Sequence, residues 1–285
     1  GPSAQEQECN AKKVKEAAES KVKALIFDRL LYRHWNAYKE GKRTHIFVVP
    51  ADGCGGSRAS LDGTGEGARP YVGSAGGDSR ASLDRTGEGA CPHVGGARDL
   101  TPGDYDAPPF TLGGQDLYAF SPDGQEICYT SNHDKMEAAS TNNDLWLVPV
   151  NGGAAGQAKN ITAENPASDS TPLYSPDGKY IAYRAQQRPG YESDRFRLML
   201  YDRKTGKSLS ISDGEDPFDR WVDSFAWSPD SKRIYLTAAD GGDAPIYMVF
   251  ADANPLVLFL TGGSNDSVAV LPGGKCIVVS RNSIR

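Results

Sequence analysis

A ten-residue unit recurs along this chain and restricts its fold more than any bulk property does. Tyr174-Ser175-Pro176-Asp177-Gly178-Lys179 runs straight into Tyr180-Ile181-Ala182-Tyr183. Pro at the second turn position presets φ, and Asp-Gly tolerates the left-handed backbone of a tight reversal. The residues after the turn are near-continuously apolar, the pattern of a strand buried on both faces. The unit returns as Phe120-Ser121-Pro122-Asp123-Gly124 before Ile127-Cys128-Tyr129, and as Trp227-Ser228-Pro229-Asp230-Ser231 before Ile234-Tyr235-Leu236. A degenerate copy, Leu271-Pro272-Gly273-Gly274, precedes Cys276-Ile277-Val278-Val279. Ser121, Ser175, Ser228 and Leu271 stand 54, 53 and 43 residues apart. Strand-and-turn repeats of that period predict propeller blades of four antiparallel strands.

Around the repeats the chain divides into three stretches. Residues 1–10 form a tail in which Gly1-Pro2-Ser3 looks like an expression scar and Ala4-Gln5-Glu6-Gln7 like a mature terminus after signal cleavage. Residues 11–43 are predicted to hold a helix leading into the propeller. Val14, Ala17, Ala18, Val22, Leu25, Ile26, Leu30 and Leu31 recur there at three- and four-residue spacing. Residues 44–285 are the partial propeller, an all-β segment of about four and a half blades. A strand over Thr44–Val49 is followed at 51–97 by a Gly-rich tandem repeat, in which Ser57-Arg58-Ala59-Ser60-Leu61 is echoed by Ser79-Arg80-Ala81-Ser82-Leu83. That tract has too few apolar residues to build a core and reads as an insertion in a hairpin loop. A fifth unit begins at Ser267 and holds two strands.

Composition excludes several functions. An apolar content of 38% and 32 glycines fit turn-rich β structure with one Gly-rich tract. The net charge of −6, with no basic stripe gathering the 31 Lys and Arg, argues against nucleic acid as a partner. No run of 18 apolar residues exists, so no membrane-spanning helix is expected. Cys9, Cys54, Cys91, Cys128 and Cys276 lack metal-ligand spacing. Cys128 and Cys276 read as small core residues of blade strands, while Cys54 and Cys91 occupy similar places in the tandem repeat, where a disulfide stays open. His34, His45, His93 and His133 are scattered, and His34-Trp35 beside Tyr32 and Arg33 reads as a packing contact. Neither a G-x-S-x-G elbow nor a Walker or Rossmann loop occurs, so no catalytic residue, metal or cofactor is expected here.

An ordered set of segments carries a resemblance. Arg29-Leu30-Leu31-Tyr32-Arg33-His34-Trp35 and Gly41-Lys42-Arg43-Thr44-His45-Ile46-Phe47-Val48-Val49 resemble the propeller start of bacterial prolyl-oligopeptidase-family serine peptidases, in their dipeptidyl-peptidase and acylaminoacyl-peptidase branch. The likeness continues through Arg98–Asp106 and Ser140–Leu145. It is densest at Gly190-Tyr191-Glu192-Ser193-Asp194-Arg195-Phe196-Arg197-Leu198 and Asp223-Ser224-Phe225-Ala226-Trp227-Ser228-Pro229-Asp230. The resemblance implies a propeller capping a C-terminal α/β-hydrolase domain with a Ser-Asp-His triad. No residue of this chain matches the triad. It also implies short peptide substrates, a hydrolase domain or complementary chain as partner, and a periplasmic or secreted location. A non-enzymatic propeller that binds proteins or ligands, like the TolB type, is the alternative.

One loop is singled out as a substrate contact. Gln186–Asp194 is longer and more polar than a hairpin needs, and such connections are often functional. Glu192 supplies a carboxylate and Tyr191 an aromatic ring, a combination suited to a peptide ammonium group. The competing reading pairs Glu192 and Asp194 with Arg188, Arg195 or Arg197 as blade-edge salt bridges.

Overall fold

The structure is a computed structural model. It describes residues 4–22, 24, 27, 30–31, 33–34, 37–39, 42–49, 97–109, 117–151, 158–213 and 218–282. The Gly-rich repeat, Cys54, Cys91, His93, Tyr32 and Trp35 lie outside the described residues. The chain divides into two compact units. One comprises Gly1–Ala24, Phe47–Asp99 and Thr111–Gln115, and the other Leu25–Ile46, Leu100–Phe110 and Asp116–Arg285.

The smaller unit holds helix α1 (Ala4–Glu19) and strands β3 (Phe47–Val48) and β4 (Arg98–Asp99). β3 and β4 pair antiparallel, Phe47 with Asp99 and Val48 with Arg98, across the Gly-rich tract between them. The helix overlaps the predicted stretch over 11–19 but begins earlier, at Ala4, and ends at Glu19. Its residues are Ala, Glu, Gln and Lys for the most part, strong helix formers whatever their pattern. The expected apolar stripe is not buried, since Val14 and its neighbours over 11–19 are exposed. Farther along, in the larger unit, Arg33–His34 (β1) and Ala37–Tyr38 (β2) form a small hairpin instead of helix.

The larger unit is built of blades. β5 (Tyr118–Phe120), β6 (Glu126–Ser131), β7 (Asp144–Pro149) and β8 (Lys159–Asn160) form one four-stranded antiparallel sheet. β9 (Asp169–Tyr174), β10 (Tyr180–Ala185), β11 (Arg197–Asp202) and β12 (Lys207–Ser210) form the next. β13 (Val222–Trp227), β14 (Arg233–Ala238), β15 (Ile246–Phe250) and β16 (Ala253–Leu260) form the third. β17 (Ser264–Val270) and β18 (Ile277–Asn282) make a two-stranded sheet, as the sequence repeats predict for the last unit. This is the expected all-β propeller architecture.

The second strand of each complete blade is buried at its last five positions, 127–131, 181–185 and 234–238. Alternation assigns those side chains to two neighbours. Ile181, Tyr183 and Ala185 pack with Cys128 and Leu145 of the preceding blade, while Ala182 joins Leu198, Leu200, Phe225, Trp227 and Leu236 toward the following one. Cys128 is fully buried in this packing, as its sequence position suggests. Cys276 is not. It lies exposed just before β18.

The repeated turns are built alike. In each, the Ser Oγ donates to the Asp Oδ1, at 2.6 Å for Ser121–Asp123 and Ser175–Asp177 and 2.5 Å for Ser228–Asp230. The same Oγ accepts the N–H that opens the next strand, from Glu126, Tyr180 and Arg233. Gly178 takes φ +70°, where a non-glycine residue would be strained. Neighbouring turns touch, the Asp177 N–H donating to Ser231 Oγ at 2.9 Å.

Candidate functional site

The strand order puts the Ser-Pro-Asp turns at one end of the blades and the second-to-third strand connections at the other. Those connections are 132–143, 186–196 and 239–245. The middle one carries Tyr191 and Glu192.

From Gln187 to Ser193 the chain is exposed throughout, yet buried polar side chains hold it at both limbs. Asp194, buried, accepts the N–H groups of Gln187 at 2.7 Å and Arg188 at 3.0 Å through Oδ2. The Arg197 guanidinium stands 3.4 Å from the same oxygen. Burial pushes the Asp194 carboxyl up, but those two N–H groups and Arg197 outweigh it and hold its pKa below the usual carboxylate range. Gln186, also buried, donates through Nε2 to the carbonyls of Glu192 at 3.0 Å and Asp194 at 2.7 Å. Gly190, at φ +72°, donates its N–H to Thr141 Oγ1 of the neighbouring connection at 2.9 Å.

The salt-bridge reading of this loop therefore divides. Asp194 pairs with Arg197, and both Arg195 and Arg197 reach Asp213, at 2.8 and 3.1 Å. Arg188 lies 5.7 Å from the centre of the Tyr191 ring. Glu192 makes no ion pair with a described residue, and its carboxylate is exposed to solvent. Tyr191 is half exposed beside it.

A second feature of the same end escapes sequence reasoning. A cavity of about 430 Å³ is lined by Arg43, Asp104, Tyr105, His133, Asp134 and Glu137, among others. Arg43 donates to Glu137 Oε1 at 2.6 Å and Asp104 Oδ1 at 3.0 Å, and lies 3.3 Å from Asp106. Asp106 is bonded in turn by the Lys39 ammonium and the Thr44 N–H. The only forewarning was that Arg43 and Asp104–Asp106 fall within the resembling segments, since Glu137 is 94 residues from Arg43. The His133 ring is sandwiched between Tyr105 and Trp146, with centroids 3.6 and 3.9 Å away. Burial lowers its pKa to about 4, so it is neutral at physiological pH.

Near the same end Asp169 is fully buried at the start of β9. Its Oδ1 accepts from Asn165 Nδ2 at 2.9 Å and its Oδ2 has no hydrogen-bond partner among the described residues. Burial raises its pKa to about 8 against the pull of Asn165 and Thr162, and the nearby Asp144 charge adds to the rise. Among the described residues no cluster of three His, Cys, Asp or Glu is placed to hold a metal ion.

No family model matches this chain. It is 36% identical over 155 residues to the dipeptidyl-peptidase 5 of Porphyromonas gingivalis, covering 53% of this chain and 22% of that protein. It is 30% identical over 185 residues to the dipeptidyl-peptidase 5 of Aspergillus fumigatus, covering 60% and 24%. Among solved structures, a putative TolB from Agrobacterium tumefaciens superposes with a TM-score of 0.47 at 18% identity, covering 67% of this chain and 61% of that one. A puromycin-hydrolyzing peptidase from Mycobacterium tuberculosis gives 0.47 at 17% identity, covering 64% and 29%. The chain spans about a quarter of the length of the dipeptidyl-peptidase 5 relatives it matches. The resemblance read from the sequence is borne out to that extent: part of the chain is similar to part of the dipeptidyl-peptidase 5 proteins.

Proposed function

We propose that this chain is the substrate-gating propeller of a serine exopeptidase that hydrolyses short peptides from a free N-terminus. The observation that carries the reading is Glu192, an exposed carboxylate without an ion-pair partner among the described residues, next to Tyr191 on a loop pinned from beneath. The bond-making groups, a Ser-Asp-His triad, belong to an α/β-hydrolase domain, and no residue of this chain stands in for them. The propeller contributes selection. Folded proteins are too large to pass it, and Glu192 takes the ammonium of an entering peptide in a charge-assisted bond that strengthens as water leaves. Tyr191 adds attraction for the cation through its ring face. The setting is periplasmic or secreted, where short peptides are foodstuff.

The test uses the intact protein with a dipeptidyl substrate and its N-acylated counterpart. Glu192→Gln should lower kcat/KM for the free-amine substrate about 30- to 150-fold, the loss of one charge-assisted contact, and spare the blocked one. Equal losses on both substrates, or none, would place the anchor elsewhere. An intact protein without peptidase activity would favour a propeller that binds without catalysis.

A further inference from the structure

We infer that Gln186 and Asp194 are positioning residues that fix the backbone at Glu192, and with it the point from which the carboxylate reaches its ligand, an inference that rests on the anchor role proposed for Glu192. A primary amide has two N–H donors, and Gln186 spends its Nε2 on two carbonyls, Glu192 O and Asp194 O, either side of Ser193. The Asp194 carboxylate does the reverse, taking the N–H groups of Gln187 and Arg188. Each side chain thus ties its own limb of the loop to the opposite one. The arrangement is reciprocal, like a capping box without a helix.

Gln186 is itself held. Its N–H donates to Ser168 O at 2.8 Å, and its carbonyl accepts from Asn165 Nδ2 at 3.0 Å. The rest of the loop is held by two short turns, Tyr191 N–H to Arg188 O at 3.3 Å and Asp194 N–H to Tyr191 O at 3.0 Å, and by the Thr141 contact. Residues 187–193 bury no apolar side chain, so the hydrophobic core does nothing to order them. Ordering seven exposed residues costs conformational entropy, which the two buried cross-links offset before a ligand arrives. A blade-edge loop with only a structural task has no need to order the backbone beneath an acid that makes no ion pair with a described residue.

The experiment compares Gln186→Leu with wild type in the intact protein, on the free-amine and N-acylated substrates, with hydrogen exchange over 187–194 as a second readout. KM for the free-amine substrate should rise about 10-fold with kcat within about two-fold, the blocked substrate unchanged and loop exchange faster. Added to Glu192→Gln, the change should cost nothing more, because no carboxylate is left to position. If Gln186→Leu moves KM for both substrates alike, or for neither, while Glu192→Gln discriminates between them, the positioning role is wrong and the anchor stands. If Glu192→Gln does not discriminate, both fall. Should Gln186→Leu not fold, Asp194→Asn carries the same comparison, with a KM rise of about three-fold on the free-amine substrate only.

Discussion

The two ends of the blades are made by opposite rules. At the turn end the chain repeats itself, and Ser121, Ser175 and Ser228 are each buried, bonded to an Asp two residues on and to the N–H five residues on. At the other end no two connections are alike. Buried side-chain atoms without a hydrogen-bond partner among the described residues gather in that half of the blades, at His133 Nε2, Asn142 Oδ1, Asp169 Oδ2 and Ser170 Oγ. A buried polar atom without a partner costs free energy that a satisfied one does not. The turn end is therefore where the fold is specified, and the loop end is where stability is given up, the end that carries the proposed substrate contact.

The sharpest way to break this contrast is at the aromatic before each turn. Trp227 is buried and its indole N–H donates to Leu173 O of the preceding blade at 3.1 Å. Trp227→Ala should cost about 3–5 kcal/mol in denaturant unfolding, whereas Phe120→Ala, at a position 55% exposed, should cost less than about 1.5. Equal costs would mean that the repeat, not burial, sets the energetics.

Asp169 tests the loop end. Its folded-state pKa of about 8 lies above the unfolded value of 3.8, so between those pH values the folded chain keeps a proton the unfolded chain has lost. Stability should fall as pH rises through that window and level off above it, by on the order of a few kcal/mol in all. His133 works the other way, losing stability as pH falls from 6.5 toward 4, so the Asp169 slope is cleanest above about pH 6.5. Asp169→Asn should flatten the melting temperature between about pH 6.5 and 8. A slope that survives the substitution would clear Asp169 of the cost assigned to it.

The smallest effect should come from the Gly-rich tract. Deleting Gly53–Gly95 should change stability by less than about 2 kcal/mol, because β3 and β4 already pair across it and loop closure depends weakly on length. A larger loss in thermal or denaturant melts would show the tract packs as structure.

What the sequence disclosed follows the same division. Ser175-Pro176-Asp177-Gly178 encodes its turn within four residues, so turn, strand and blade period could be read directly. The helix was legible but not its extent, because apolar spacing over 11–31 suggested a longer amphipathic face, while propensity alone made Ala4–Glu19 helical. At the loop end, the Tyr191-Glu192 motif was visible, but the choice of Asp194 over Glu192 as the partner of Arg197 depends on a chain reversal no pattern records. The Arg43–Glu137 pair was invisible because nothing local links residues so far apart.

One paired measurement tests the contrast most directly, the melting temperature and the kcat/KM for a free-amine dipeptidyl substrate, taken in the intact protein for Ser175→Ala and Glu192→Gln. Ser175→Ala should destabilise by about 1–3 kcal/mol, stranding the Tyr180 N–H and removing one of the bonds to the Asp177 carboxylate, and leave kcat/KM within about two-fold. Glu192→Gln should leave the melting temperature unmoved and reduce kcat/KM by more than about 30-fold. If Ser175→Ala cuts activity as deeply as Glu192→Gln at a temperature where both are folded, the two ends do not divide the work, and the account is wrong.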